Sequence, residues 1–205
     1  MAQDIFGKIL KQAQEKNATT YYQKRSVEWY RDFTNKIAID IRPRNILSNK
    51  KLVRRPKVIP GRLYSFSYDP KTKETLPYYD TFPLVLPLIR GFKSRSFLGL
   101  NFHYLPPILR ARLMSALYSL LNNKKFDDST RIAATYNILK TMARFSLFRP
   151  CIKRYSLSRI RSPFIEIPAK DWNAILFLPV DRFIKAKRNT IWLESKASVA
   201  NIKGK

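Results

Sequence analysis

The sequence is short of the groups on which most protein chemistry depends. It holds one cysteine and one histidine among 205 residues. A lone cysteine excludes an intramolecular disulfide, and with a lone histidine it cannot supply the usual Cys/His zinc set. Glycine is scarce, at five residues, and none of them builds a Gly-rich phosphate loop. Acids number 14 against 40 Lys+Arg, with no grouping of carboxylates of the kind that holds a catalytic divalent metal. No apolar run approaches the ~20 residues that span a bilayer, and no signal-peptide pattern opens the chain. The expectation is a protein without cofactor, metal or membrane, in the cytoplasm or in a particle assembled there.

What is present is charge on a chain that can fold. Hydrophobic residues make up 45% and aromatics 13%, enough for a core, so this is no disordered basic tail. The length suits one domain of ordinary size. A net charge of +26 resists compaction through self-repulsion and needs a partner that rewards it. Nucleic acid does so better than an anionic membrane, because each phosphate neutralised releases condensed counterions.

Pattern and composition divide the chain into 1–59, an N-terminal helical arm and basic strap, and 60–205, an α+β core expected to bind nucleic acid. Residues 3–16 read as a helix carrying Ile5, Phe6, Ile9, Leu10 and Ala13 on one face. A second helix is expected from Ser26 as N-cap, with Val27, Tyr30, Phe33 and Ile37 inward. The stretch "IRPRNILSNKKLVRRPKVIPG" then reads as an extended, irregular strap. Its cations Arg42, Arg44, Lys50, Lys51, Arg54, Arg55 and Lys57 are matched by no acid within the stretch, which favours phosphate contact over a solvated face.

From Gly61 the pattern becomes β. "RLYSFSY" alternates Leu63, Ser65 and Ser67 with Tyr64, Phe66 and Tyr68, and "DPKTKE" follows as turn chemistry. "TFPLVLPLI" and "SFLGLNFHYL" read as further strands, the first pushed towards an edge by Pro83 and Pro87. After Pro107, a good first-turn residue, Ile108, Leu109, Leu113, Leu117, Leu120 and Leu121 trace an apolar helix face, with Arg110 and Arg112 towards the other side. "DDSTRIAATYNILKTMARF" completes a helical hairpin. Later, "FIEI" is strand-like, Asp171 is a candidate N-cap with Trp172, Ile175 and Leu176 inward, and the chain closes on a partly helical piece. The expected fold is α+β: a small twisted antiparallel sheet, open or rolled into a partial barrel, with a helical hairpin and an N-terminal helical arm.

The search for catalysis is barren. Glu166 with Lys170 and Asp69 with Lys71 are the nearest approaches to a nuclease centre, and neither has the spacing of one. Glu166 reads as the partner of a cation. His103 reads as a hydrogen-bonded tie between a strand end and the next turn, and Cys151 as a small buried hydrophobe. No catalytic or metal residue is assigned. The candidate DNA contacts are Lys50, Lys51, Arg54, Arg55, Lys57, Arg62, Arg90, Lys93, Arg95, Arg110, Arg112, Lys153, Arg154, Arg159, Arg161, Lys185, Lys187 and Arg188. For Tyr78 and Tyr79, and for Phe92 beside Arg90 and Lys93, two readings stand: core packing, the commoner fate of such aromatics, or stacking on an exposed nucleic-acid base, worth about 1–3 kcal/mol per base.

Three phrases carry more than composition: "PGRLYSFSYDPKTKETLPYYDTFPLVLPL", "FLGLNFHYLPPILRARLM" and "LPVDRFIKAKRNTIWLESK". From about Pro60 almost to the C-terminus the text resembles the DNA end protector proteins of T-even-type and related myophages. The resemblance implies a minor virion protein at the head–tail junction that meets neck, portal or tail proteins. It also implies that the protein sits on the ends of linear duplex DNA and shields them from host exonuclease after injection into the host cytoplasm. It brings no catalytic motif with it. The alternatives are a structural neck or head-completion protein lining the DNA channel and, third, a metal-dependent nuclease.

Overall fold

The computed structural model describes residues 5–18, 26, 28–30, 32–33, 46, 50–90, 95–121, 134, 137, 146–178 and 180–203. In chain order its elements are α1 (Ile5–Glu15), β1 (Val53–Arg55), β2 (Leu63–Ser65), β3 (Tyr79–Asp80), β4 (Leu84–Arg90) and β5 (Ser96–Asn101). There follow α2 (Pro107–Leu121), β6 (Ile152–Ser156), β7 (Phe164–Ile167), α3 (Trp172–Ile175), β8 (Phe183–Ile184) and α4 (Arg188–Lys203), with short 3₁₀ turns between. This is an α+β fold.

Six strands form one antiparallel sheet in the order β1-β7-β2-β4-β5-β6, and β3 and β8 pair separately. The sheet stays open rather than rolling into a barrel, with β1 and β6 at its edges. Alternation along β2 divides its side chains as the sequence predicts. Leu63 joins a large core with Leu84, Leu86, Leu100, Ile165 and Ile167, whereas Tyr64 and Phe66 join a second cluster with Val85, Phe97, Tyr155 and Phe164. Both faces are therefore buried. The second cluster is largely aromatic, its rings meeting edge-on or stacked, as Phe66 on Tyr155 and Phe97 on Tyr155, both at 5.3 Å. Gly99 is needed between them, because a Cβ there would collide with Val85 Cγ1.

Helices cover the large core. In α1, Phe6, Ile9 and Ala13 are buried and Lys8, Lys11 and Gln12 exposed, the helical spacing expected, and the buried side packs on α2. Asn17, at φ 53°, takes the left-handed conformation that ends the helix. Ser26 is already helical and buried rather than an N-cap, and Tyr30 stacks on Phe177 at 5.1 Å. Arg42 and Arg44 lie outside the described residues, as does the second arm of the helical hairpin except for Ala134 and Asn137, which are helical.

Two expectations are corrected. The strand β4 is not an edge: it lies between β2 and β5. Pro83 precedes its first residue, and Pro87 falls where the register with β5 shifts, so neither proline interrupts a regular ladder. The basic stretch at 152–156, unassigned from sequence, is the edge strand β6, and the end of the strap is the opposite edge strand β1. Edge strands accept lysine and arginine because the charges deter pairing with another chain.

Candidate nucleic-acid interface

His103 occupies a 3₁₀ turn, Phe102–Tyr104, rather than the strand itself, and Asn101 Oδ1 caps that turn by accepting from the His103 N–H at 3.0 Å. The imidazole is fully buried and its Nδ1 meets Asp80 Oδ2 at 2.6 Å. Asp80 is the hub. Its Oδ2 also accepts from Asn101 Nδ2, and its Oδ1 accepts from the backbone N–H groups of Phe82 and Arg182. Burial alone would raise the Asp80 pKa; the charge of His103 and hydrogen bonds from His103, Phe82 and Asn101 outweigh it and hold the carboxyl below its ordinary value. Trp192 Nε1 donates to the His103 carbonyl at 2.9 Å, tying α4 to the same point. The histidine joins strand, turn and helix. No nucleophile adjoins it among these partners.

Cys151 is equally structural. It is fully buried, its Sγ donates to the Phe148 carbonyl at 2.8 Å, and burial pushes its pKa up to about 12. Among the described residues no group of three His, Cys, Asp or Glu side chains is arranged to hold a metal ion. Nor is any described helix long and apolar enough to cross a membrane. Glu166 is gripped at 2.7 Å on one oxygen by Arg55 and on the other by Arg62, the cation pairing its sequence context predicts. Asp69 is held by Lys73 and Arg161, whose hydrogen bonds lower its pKa.

Arg110 does not point outward. It is 2% exposed, donates from Nε to Leu105 O at 2.7 Å and from Nη1 to Leu176 O at 2.6 Å, and lies 5.7 Å from the Trp192 ring centroid. Burial pushes its pKa down to about 10, still far enough above neutrality to keep the charge. Helical spacing explains the position: Leu113, Met114 and Leu117, three, four and seven residues on, are all buried. We expect Arg110→Leu to leave both carbonyls unsatisfied and cost about 1–3 kcal/mol, read as a lower urea midpoint. Affinity of the folded variant for duplex DNA should be unchanged.

The remaining candidates fall into separate groups. At the β1 edge, Arg54, Arg55 and Lys57 line a groove of about 590 Å³ with Leu157, Ile160 and Phe164. Lys50 and Lys51 immediately precede it and are exposed. Arg62 reaches this edge through Glu166. At the β6 edge stand half-buried Lys153, exposed Arg154 and, beside Ser96, exposed Arg95. Arg159 and Arg161 belong to the loop between β6 and β7. Arg112 is exposed on α2 and lines a groove with Lys11 of α1. Lys185, at φ 72°, is occupied by the fold: its ammonium donates to the carbonyls of Lys73, Glu74 and Leu76, closing the 69–76 turn. Arg188 lies 3.0 Å from Asp181, and Lys187 beside it is exposed. Arg90 ends β4, and Lys93 lies outside the described residues with Phe92.

The arrangement offers cationic edges, the acids Asp69, Asp80, Glu166 and Asp181 engaged by cations or backbone donors, and a histidine buried in structural work. A family model described as phage T4 terminal DNA protecting protein matches residues 2–195. The chain belongs to that family. No curated protein and no solved structure matches it. The family's extent adds something the three phrases did not reach: it takes in α1 and the strap as well as the sheet. Of the candidate cations, Arg54, Arg55, Lys153 and Arg154 lie on the edge strands, which sequence patterning did not see as strands. Tyr68, Tyr104 and Tyr155, which gather beside Lys153, were not singled out from sequence, because no spacing links residues so far apart.

Proposed function

We propose that this protein binds the ends of linear double-stranded DNA without reading their sequence and blocks exonuclease there. The observation supporting this reading, beside the family, is the placement of cations on both open edges of the sheet: Arg54 and Arg55 on β1, Lys153 and Arg154 on β6. Phosphate contacts of this kind position a protein on DNA and carry no base information. The work is stoichiometric rather than catalytic. Its place is the virion, at the head–tail junction against neck, portal or tail proteins, and then the host cytoplasm with the injected genome.

The test compares linear and covalently closed circular duplexes of one sequence. The protein should bind the linear form more tightly and protect it from a processive exonuclease at about one complex per end. In magnesium it should leave both forms uncut. Equal affinity for the two forms, with no protection, would leave a channel-lining structural protein as the better reading. Cleavage abolished by Glu166→Ala would restore the nuclease.

A further inference from the structure

A pocket of about 290 Å³ opens between the 68–80 turn, the end of β5 and the β6 edge. Tyr68, Tyr78, Tyr79, Tyr104 and Tyr155 wall it, and Lys153 enters from β6. Arg154 and Lys71 also line it. The walls are fixed from behind. Tyr155 stacks on Phe97 at 5.3 Å, the Tyr68 ring meets Tyr155 edge-on at 5.0 Å, and Tyr104 meets Phe183 edge-on at 5.1 Å. The Tyr78 hydroxyl bonds Glu194 while its ring leans on Tyr104.

Asp80 and Asn101 form the floor but attract no cation, because both carboxylate oxygens already accept donors from the fold. Lys153 is the opposite case. Its Nζ lies 4.0 Å from the Tyr104 ring centroid, and among the described residues no carboxylate pairs with it. A half-buried ammonium gains something from the ring, yet its N–H donors call for an anion. A tyrosine-walled pocket with a cation in its lining suits one chemical class: a nucleotide, its base among the tyrosine rings and its phosphate on Lys153 and Arg154. The volume is at the small end of ligand pockets, about 300–1,000 Å³, and cannot admit a duplex.

We propose that this pocket takes the phosphorylated terminal nucleotide of a DNA strand, and that it supplies the preference for ends. The inference rests on the end-binding reading above. A terminal nucleotide unpairs at little cost, whereas an interior one must be flipped out of the stack, at a few kcal/mol. The pocket thereby converts a general affinity for phosphates into discrimination between terminus and interior.

The experiment measures affinity for a hairpin duplex with one open end, bearing a 5′-phosphate on a one-nucleotide overhang, against the same duplex closed by loops at both ends. The wild-type protein should prefer the open end by about tenfold or more, the range of one charge-assisted contact. Tyr79→Leu should lose that preference while binding the closed duplex as before, which also certifies that it folds. Lys153→Met, which keeps the stem and removes the charge, should weaken binding to the open end by a larger factor than binding to the closed duplex and so lose the preference; Lys153→Arg should keep it. If the wild-type protein shows no preference, the end-binding reading itself fails. If it does, but Lys153→Met and Tyr79→Leu retain the preference, ends are gripped elsewhere and the pocket proposal is overturned.

Discussion

Replacing Asp80 with alanine should destabilise the protein by about 3–5 kcal/mol, since it leaves several buried donors without an acceptor at about 1–3 kcal/mol each. For a chain of this size that is a fall in Tm of roughly 6–20 °C. The magnitude follows from what the carboxylate joins. It accepts from Phe82, Arg182, Asn101 and His103, so its loss strands donors from β5, the 3₁₀ turn and the segment before β8. Asp80→Asn should recover little, since one acceptor oxygen becomes a donor facing donors. The effect carries a pH signature. The folded-state pKa of Asp80 is lowered by the His103 charge and the hydrogen bonds that overcome burial. Its contribution is therefore complete above the unfolded value of about 3.9 and disappears as pH falls through the lower folded value. Urea titrations should show wild type and Asp80→Ala far apart at pH 6 and converging below about pH 4. A gap under about 1 kcal/mol at neutral pH would mean that the donors find other acceptors.

That hub also shows what the sequence could and could not reveal. The structural role of His103 was legible, because an isolated imidazole without a local nucleophile has little else to do. Its partner was not: Asp80 lies 23 residues earlier, and only folding brings them together. The three phrases that carry the family resemblance converge here. The first contains Asp80, the second Asn101 and His103, and the third Arg182, Lys185 and Trp192. Alternation at Leu63 and Tyr64 was readable because both faces of β2 are buried among different neighbours. The edge strands were not, since β1 reads Val-Arg-Arg and β6 Ile-Lys-Arg-Tyr-Ser, and edge position, invisible in one dimension, is what permits such charge in a strand. Arg110 misled for the converse reason. Arginine signals surface, yet its spacing to Leu113, Met114 and Leu117 already placed it inward. The tyrosine pocket needed three dimensions altogether.

Affinity for closed duplex DNA should fall at least about a thousandfold between 50 and 200 mM salt if about six phosphates are contacted, a slope near −0.9 per contact in log K against log salt. The strap and β1 edge should supply a large part of that slope. Lys50, Lys51, Arg54 and Lys57 are all exposed, and a chain running along a sheet edge can follow a phosphate backbone that a rigid sheet face meets at few points. Arg55 is better left in place, because it holds Glu166 with Arg62 and its removal would mix a folding effect with a binding one. The fourfold alanine variant at the other positions should still fold, lose duplex affinity, and flatten the slope by about 0.9 for each true contact, at most about 3.6. An unchanged slope would assign the phosphate contacts to the β6 edge and the α1–α2 groove instead. Protection separates the same variant from a structural defect. Virions carrying it should fill their heads with DNA and then fail after injection, with infectivity restored in hosts lacking the exonuclease. Heads that assemble poorly or leak DNA would show that the strap's charge lines a channel rather than holding an end.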